Sequence, residues 1–150
     1  MPDNSIPTIM LKKIPKIVSP QLLKTLIEMG HGDEIVIADG NFPCHTISQN
    51  VIRADGLSGS EILKAVMELL PLDTYAENQV FLMEVVPGDD YKPEVWNDYK
   101  EILKKSGESF TIGYIERFAF YERAKKSYAV IATGEEALYA NIILKKGVVK

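Results

Sequence analysis

The sequence predicts an α/β fold, a single domain in which helices cover both faces of a β-sheet. Three observations favour this fold. Helix-like and strand-like patterns alternate along the whole chain, without an internal repeat, low-complexity segment or linker. A length of 150 residues, 46% of them hydrophobic and 25% charged, suits one globular domain spanning residues 1–150. Residues 34–38 form an apolar run without alternation, which is typical of a strand covered on both faces.

The first helix has a clear start signal. Prolines recur before it, and we expect residues 1–10 to form a flexible leader. Ser19 is a good N-cap, and Pro20 suits the first helical position. Gly30 is expected to end the helix in the left-handed conformation. The predicted buried face consists of Leu22, Leu23, Leu26 and Ile27.

Three more helices follow. Ser58 and Glu61 have capping-box spacing, and the second helix that they open is expected to end at Pro71. Pro93 can open a third helix, which Ser106-Gly107 stops. A short fourth helix is predicted over residues 118–126. The remaining strands are predicted at residues 51–53, 80–86, 110–115, 128–133 and 141–144.

Composition restricts the classes of function. A formal charge of −4 argues against nucleic acid or an anionic membrane as the partner. No apolar run approaches the roughly 20 residues that span a bilayer. The first residues lack the pattern of a signal peptide, so we expect a cytoplasmic protein. Cys44 is the only cysteine, which excludes an internal disulfide and a cysteine-rich zinc site.

Two polar clusters could carry chemistry, because ligands of α/β sheets usually bind beyond the carboxyl ends of strands. In the first, His31 follows a helix end and Asp39 follows a strand. Taken alone, a histidine in the position of His31 is more often a helix C-cap, and an Asx turn explains Asp39 at least as well as a ligand contact. The second cluster contains Arg117 and Tyr121, which an amphipathic helix with an aromatic core face would also explain.

Aromatic rings beside polar groups are also how sugar sites are built, since a ring covers C–H surface while polar groups bind hydroxyls. Tyr139 and Asn141 add a phenol and an amide at the start of a strand, and Asp73 adds a carboxylate in a loop. Dinucleotide and P-loop motifs are absent, and neither His31 nor His45 has metalloprotease spacing. We therefore expect no cofactor and no metal.

Eight stretches, in order, resemble the signature segments of the fucose mutarotase/ribose pyranase family. The match spans the chain from about residue 10 to its end, and the segment at 117–124 resembles the fucose branch. The stretches are SPQLL (19–23), MGHGDE (29–34), DGNFP (39–43), IRADG (52–56), LPLDTY (70–75), RFAFYERA (117–124), ATGE (132–135) and YAN running into LKKG (139–147).

The resemblance implies a three-layer α/β/α sandwich and a ring-shaped homo-oligomer, often a decamer. It also implies that His31 is the catalytic proton donor to the sugar. Other matching positions hold the sugar or assist proton transfer. Tyr121 is the second residue expected to act in catalysis, and either Tyr121 or a carboxylate is expected to receive the proton of the anomeric hydroxyl. Family members usually carry glycine where this chain has Ala140, so alanine there would be strained if that backbone required positive φ. The implied substrate-binding residues are Asp39, Asp73, Arg117, Tyr139 and Asn141.

The expected activity is exchange of the α and β anomers of free L-fucose by acid–base ring opening. Histidine suits this chemistry because its reference pKa of about 6.5 keeps both protonation states available near neutral pH. Asp33 or Asp39 is expected to hold the His31 ring. Three alternatives stay open: a D-ribose pyranase, a non-catalytic sugar-binding or assembly module, and a metal-dependent aldose–ketose isomerase.

Overall fold

The computed structural model describes residues 11–150, which form five helices and six strands. The expected leader, residues 1–10, lies outside these residues. The helices are α1 (Pro20–Glu28), α2 (Cys44–Ile47), α3 (Gly59–Met67), α4 (Val95–Lys105) and α5 (Arg117–Lys125). The strands are β1 (Glu34–Ala38), β2 (Val51–Ala54), β3 (Val80–Met83), β4 (Ile112–Ile115), β5 (Ala129–Thr133) and β6 (Ile142–Lys145).

All six strands form one sheet in the order β2-β5-β1-β6-β3-β4. β5 pairs in parallel with β2 and β1, and β3 pairs in parallel with β4. β6 is antiparallel to both of its neighbours, β1 and β3. Five strands therefore run in one direction and the central β6 runs in the other. We call the edge where those five strands end, and where β6 begins, the carboxyl edge; the opposite edge is the amino edge.

Helices pack against both faces of this sheet and give two hydrophobic cores, so the expected α/β/α layering is confirmed. One core lies between the sheet and α1, α3 and α4, with Leu22, Leu63 and Leu103 fully or almost fully buried. The other lies under α2 and α5, with Phe120 and Ala124 against the other face of the sheet. The two layers leave both edges of the sheet free to present polar loops.

The helix-start signals at Ser19 and Ser58 are confirmed. The Ser19 hydroxyl accepts a hydrogen bond from the Leu22 N–H at 3.1 Å, which caps α1. Ser58 and Glu61 form the reciprocal capping box that opens α3. The side chain of Glu116 accepts from the Phe118 N–H and fixes the first turn of α5. Arg117 consequently occupies the first position of that helix.

Two local expectations are wrong, and one short helix was missed. Ile27 is 73% exposed, because only Leu22 and Leu26 repeat at four-residue spacing toward the sheet, and the next residue is rotated about 100° away. Gly30 does not end α1 in a left-handed conformation; Met29 is extended and the positive φ falls on Gly32. The short helix α2 was not predicted.

Within residues 11–150, no helix is long and apolar enough to cross a membrane.

Candidate functional site

The carboxyl edge carries a cavity of about 250 Å³. Asp39 follows β1, Arg117 follows β4 in the chain, and Asn141 immediately precedes β6, so strand direction alone brings these three residues to one edge. Five of the seven residues expected in the site line this cavity: Asp39, Arg117, Tyr121, Tyr139 and Asn141. Its other lining residues are Asn41, Phe42, Met83, Val86, Asp89 and Leu138.

Asp39 is buried at the base of this cavity, with 5% of its surface exposed. Its backbone N–H donates to Oδ1 of Asn141 at 2.7 Å, which joins β1 to the start of β6. Its Oδ1 accepts from the Asn41 N–H at 3.0 Å, so the Asx-turn interpretation is also correct. Burial raises the pKa of the Asp39 carboxyl, and hydrogen bonds only partly oppose that shift. The Asp39 carboxyl can therefore accept hydrogen bonds from a ligand in the cavity and can also take up a proton.

Arg117 and Tyr121 lie one turn apart on α5 and contact each other. Nε of Arg117 donates to the Tyr121 hydroxyl oxygen at 3.0 Å, and the guanidinium carbon lies 5.3 Å from the centre of the tyrosine ring. Phe42 packs edge-on against the same ring at 5.4 Å. These contacts fix the phenol in the cavity beside a permanent positive charge.

Tyr139 is held by its phenol. The hydroxyl donates to Oδ2 of Asp89 at 2.9 Å and accepts from the Val86 N–H at 3.3 Å. The ring stacks on Tyr91 with a centroid distance of 5.9 Å. Because a phenol oxygen has two lone pairs, one acceptor position remains for a ligand hydroxyl.

The substitution at Ala140 does not carry the strain that the sequence suggested. Positive φ falls on the preceding residue, Tyr139, at 58°, whereas Ala140 does not have positive φ. Ala140 is fully buried, and its carbonyl accepts a hydrogen bond from the Tyr99 hydroxyl at 2.8 Å. Alanine therefore fits this position without a left-handed backbone.

The other two expected residues, His31 and Asp73, lie together at the amino edge. Nε2 of His31 lies 2.9 Å from Oδ1 of Asp73, and the Tyr75 N–H donates to the same oxygen at 3.1 Å. Hydrogen bonds to the end of β6 hold both loops, from the Gly32 N–H to the Lys146 carbonyl and from the Asp73 N–H to the Lys145 carbonyl. The expected partners of His31, Asp33 and Asp39, are thus replaced by Asp73.

Exposure differs sharply between the two members of this pair. The His31 side chain is 46% exposed, whereas that of Asp73 is 6% exposed. Burial would raise the pKa of the Asp73 carboxyl, but hydrogen bonds from His31 and from the Tyr75 backbone, with the histidine charge, lower it below its ordinary value. Asp73 is therefore ionised near neutral pH and presents a carboxylate acceptor to the imidazole ring.

The two clusters are separated by the length of β1. Six residues lead from Asp33 to Asp39, and a rise of about 3.3 Å per residue gives a separation of roughly 20 Å. The structure therefore brings five expected residues together at one edge and two at the other. Within one chain, His31 does not reach the cavity.

Sequence reasoning missed Asp89, which contacts Tyr139 and lines the cavity. It follows β3 after a Pro-Gly turn, so the rule that strand ends carry ligand residues would have found it.

His45 lies outside the cavity lining, with Nε2 3.2 Å from an Arg53 nitrogen. Cys44 is buried, which raises the pKa of its thiol. In residues 11–150, histidine, cysteine and carboxylate side chains form no group of three that could hold a metal ion.

Two larger depressions lie elsewhere on the molecule. One of about 520 Å³ is formed by the ends of α3 and α4 and the chain terminus, and one of about 650 Å³ lies beside the Glu34–Arg123 ion pair. Neither contains any of the seven expected residues. The smaller cavity at the carboxyl edge combines aromatic rings, a cation, a carboxylate and an amide, so it is the better candidate for a ligand site.

These features define an α/β protein with a small, polar, aromatic-walled cavity at the carboxyl edge of its sheet. Residues 12–149 match the sequence pattern of the RbsD / FucU transport protein family. Fucose mutarotase from Homo sapiens is 54% identical over 144 residues, which cover 92% of this chain and 94% of the human protein. The chain therefore belongs to the RbsD/FucU family.

Solved structures of relatives have the same fold. The crystal structure of the fucose mutarotase from Streptococcus pneumoniae, in complex with L-fucose, has a TM-score of 0.89 and 52% sequence identity, and covers 93% of this chain and 100% of that one. The structure of Bacillus subtilis RbsD complexed with D-ribose has a TM-score of 0.68 and 25% identity, and covers 89% and 95%. The chain is thus more similar to the fucose mutarotase than to the ribose-bound protein.

Proposed function

We propose that this protein is an L-fucose mutarotase, which exchanges the α and β anomers of the free sugar. The observation that carries the proposal is the carboxyl-edge cavity, where Arg117, Tyr121 and Asn141 surround a buried carboxylate in about 250 Å³. That volume is below the roughly 300 Å³ at which sites for drug-sized ligands begin, and it suits a monosaccharide. Similarity to fucose mutarotases along more than nine-tenths of the chain supports the same activity.

The reaction moves only protons and one C–O bond. The anomeric hydroxyl loses a proton, the ring oxygen gains one, and the bond between C1 and the ring oxygen breaks to give an open-chain aldehyde. Rotation about C1–C2 and closure on the other face of the carbonyl give the other anomer and return both protons. An acid, a base and groups that hold the sugar are sufficient for this chemistry.

We assign the acid to His31. A carboxylate only accepts hydrogen bonds, so Nε2 of His31 carries the hydrogen that faces Asp73. The protonated ring then has its second N–H on Nδ1, and that proton is the one available for the sugar ring oxygen. Asp73 orients the imidazole and stabilises its positive charge.

We assign the base to Tyr121. The phenolate form of Tyr121 takes the anomeric proton and becomes the neutral phenol. Its oxygen accepts a hydrogen bond from Arg117, so the negative charge that it carries before the transfer lies beside a cation. Asp39, Asn141 and Tyr139 remain to bind the other sugar hydroxyls. The free acceptor position on the Tyr139 oxygen suits a hydroxyl that donates.

These roles require a neighbouring subunit, because His31 and the cavity lie at opposite edges of the sheet. We propose a homo-oligomer in which the amino edge of one subunit faces the carboxyl edge of the next. Such head-to-tail contacts close into rings, in agreement with the decamer that the sequence resemblance implies. The exposed rings of Tyr75 at one edge and Phe118 at the other are available for such an interface. A cytoplasmic location is part of the same proposal.

Proton exchange spectroscopy on equilibrated L-fucose tests the activity, because it follows transfer of magnetisation between the two anomeric signals. The wild type is expected to accelerate transfer, with EDTA present or absent, and His31→Ala is expected to lower the rate by about 10²–10⁴-fold. His45→Ala is the matched control, since this histidine lies outside the cavity. Faster exchange on D-ribose than on L-fucose would favour a pyranase, and binding without acceleration would favour a sugar-binding module.

A further inference from the structure

The backbone of Tyr139 is left-handed, with φ at 58°. Side chains disfavour this region, and non-glycine residues there persist only when their surroundings hold them. Tyr139 lines the cavity, so its unusual backbone directs a ring of the site. The groups that hold this backbone are therefore of functional interest.

Two side chains of α4 hold the two peptide units that follow the Cα atom of Tyr139. Nε1 of Trp96 donates to the Tyr139 carbonyl at 2.8 Å, and the hydroxyl of Tyr99 donates to the Ala140 carbonyl at 2.8 Å. Trp96 and Tyr99 are three residues apart and thus share one face of the helix. The carbonyls of two consecutive residues are thus each fixed by a side-chain donor from the same helix. We call Trp96 and Tyr99 the α4 clamp.

The fold reserves space for this clamp. Tyr99 is fully buried, and its hydroxyl lies so close to Gly59 that a methyl group on that glycine would overlap it. Gly59 begins α3, and its N–H donates to Oε1 of Glu135 at 3.0 Å. A side chain at position 59 would therefore displace the donor that holds Ala140.

Neither clamp residue lines the cavity, so any effect on a ligand must pass through Tyr139. At its other end, the Tyr139 phenol contacts Asp89 and the Val86 N–H. The clamp fixes the backbone conformation of Tyr139 and thereby the orientation of its ring. The contacts with Asp89 and Val86 fix the position of its hydroxyl. The remaining acceptor position of the phenol oxygen is then aimed at the ligand.

We propose that Trp96 and Tyr99 are positioning residues for the Tyr139 phenol. This inference rests on the proposed mutarotase activity. Loss of either donor lets the Tyr139 backbone relax toward negative φ and moves the hydroxyl away from its sugar contact. Substrate binding then weakens, while the proton transfers at His31 and Tyr121 proceed as before.

A double-mutant cycle on the intact oligomer tests the proposal. Trp96→Phe and Tyr99→Phe are each measured alone and combined with Tyr139→Phe, which keeps the ring and removes only the hydroxyl. Each clamp variant is expected to raise KM for L-fucose about three- to tenfold, the loss of one hydrogen bond, with little change in kcat. In the Tyr139→Phe background the same substitutions are expected to have no further effect.

Equal effects in both backgrounds would overturn the proposal, because the clamp would then act on general stability and not on the phenol. Wild-type kinetics for Tyr139→Phe would overturn it as well. Leu103→Val, a core substitution on the same helix, is the control for loss of stability alone. If the wild type does not accelerate anomer exchange, the proposed function is wrong. The same double-mutant cycle, with the affinity for L-fucose measured in place of KM, then tests the role of the clamp. A wild type that neither exchanges nor binds the sugar refutes both.

Discussion

Nε2 of His31 lies 2.9 Å from Oδ1 of Asp73, although the two residues are 42 positions apart in the chain. The contact depends on β6, since its end binds both of the loops that carry them. Asp73 is buried and ionised, and His31 is half exposed. The pair thus presents an oriented imidazole outward from the amino edge, toward whatever lies beyond it.

Asp73→Asn tests the role of this pair. The amide retains the size of the carboxylate but removes its charge, so the imidazolium loses its partner. We expect kcat for anomer exchange to fall about 10- to 100-fold, the value of a charge-assisted hydrogen bond, with a smaller change in KM. Exchange spectroscopy at several L-fucose concentrations separates the two constants. A variant altered only in KM would make Asp73 a sugar-binding residue.

Tyr121→Phe tests the base. The ring still packs against Phe42, so the fold is expected to remain intact while the proton acceptor is lost. We expect kcat to fall by about 10²-fold or more. Circular dichroism and oligomer size should be unchanged. Near wild-type exchange would exclude the phenol as base, and Asp39, whose pKa is raised by burial, would be the next candidate.

The two buried carboxyl groups are expected to affect stability with opposite signs. Folding raises the pKa of Asp39, so its neutral form is favoured and stability falls as pH rises from about 4 through the folded pKa. Asp39→Asn should therefore raise Tm at pH 7 while it lowers activity. This gain should vanish below about pH 4, where the wild-type group is also neutral.

Folding lowers the pKa of Asp73, so its contribution is present above about pH 4 and is lost as pH falls through the folded value. Asp73→Asn should lower Tm at pH 7 and approach the wild type in acid. Thermal unfolding of Asp39→Asn and Asp73→Asn between pH 3 and pH 8 checks that the two variants change Tm in opposite directions. A gain in Tm for Asp73→Asn at pH 7 would contradict the assignment.

The ion pair of Arg123 and Glu34 is expected to stabilise the fold. Two guanidinium nitrogens donate to the two carboxylate oxygens at 2.8 and 2.6 Å, and the guanidinium carbon lies 3.7 Å from the centre of the Phe81 ring. Arg123→Met should reduce the free energy of unfolding by about 1.5–3 kcal/mol.

Lys125→Met provides the control for this ion pair. Lys125 pairs with Glu122 in the same helix, but both side chains are more than half exposed, so the loss should be about 0–1 kcal/mol. Urea denaturation of the two variants gives the comparison. Equal losses would mean that the geometry of the Arg123 pair adds nothing to its stability.

Local signals in the sequence predicted most of the fold. The caps at Ser19 and Ser58 and the apolar run of β1 depend on neighbouring residues only, and all three are confirmed. Strand ends were less certain, because β3 stops at Met83 whereas its apolar pattern continues to Val86. The four-residue helix α2 lacks a side-chain N-cap and carries no recognisable start signal.

The sequence predicts which residues belong to the candidate site but does not predict how they are arranged. Tyr139 and Asn141 meet Asp39 only because β6 runs against its neighbours, whereas Asp73 lies at the far edge because it precedes β3. Sheet order joins segments distant in the chain, and no local pattern encodes it. The positive φ of Tyr139 was likewise hidden, since glycine is the residue that usually signals it.

In the proposed oligomer, each active site is formed by the amino edge of one subunit and the carboxyl edge of another. Co-expression of His31→Ala and Tyr121→Phe chains, each nearly inactive alone, tests it by exchange spectroscopy on L-fucose. Random mixing in head-to-tail contacts leaves about one site in four with both intact edges, so about a quarter of wild-type activity should return. Mixed oligomers that stay as inactive as either variant alone would show that both residues act within a single chain, and would contradict the account.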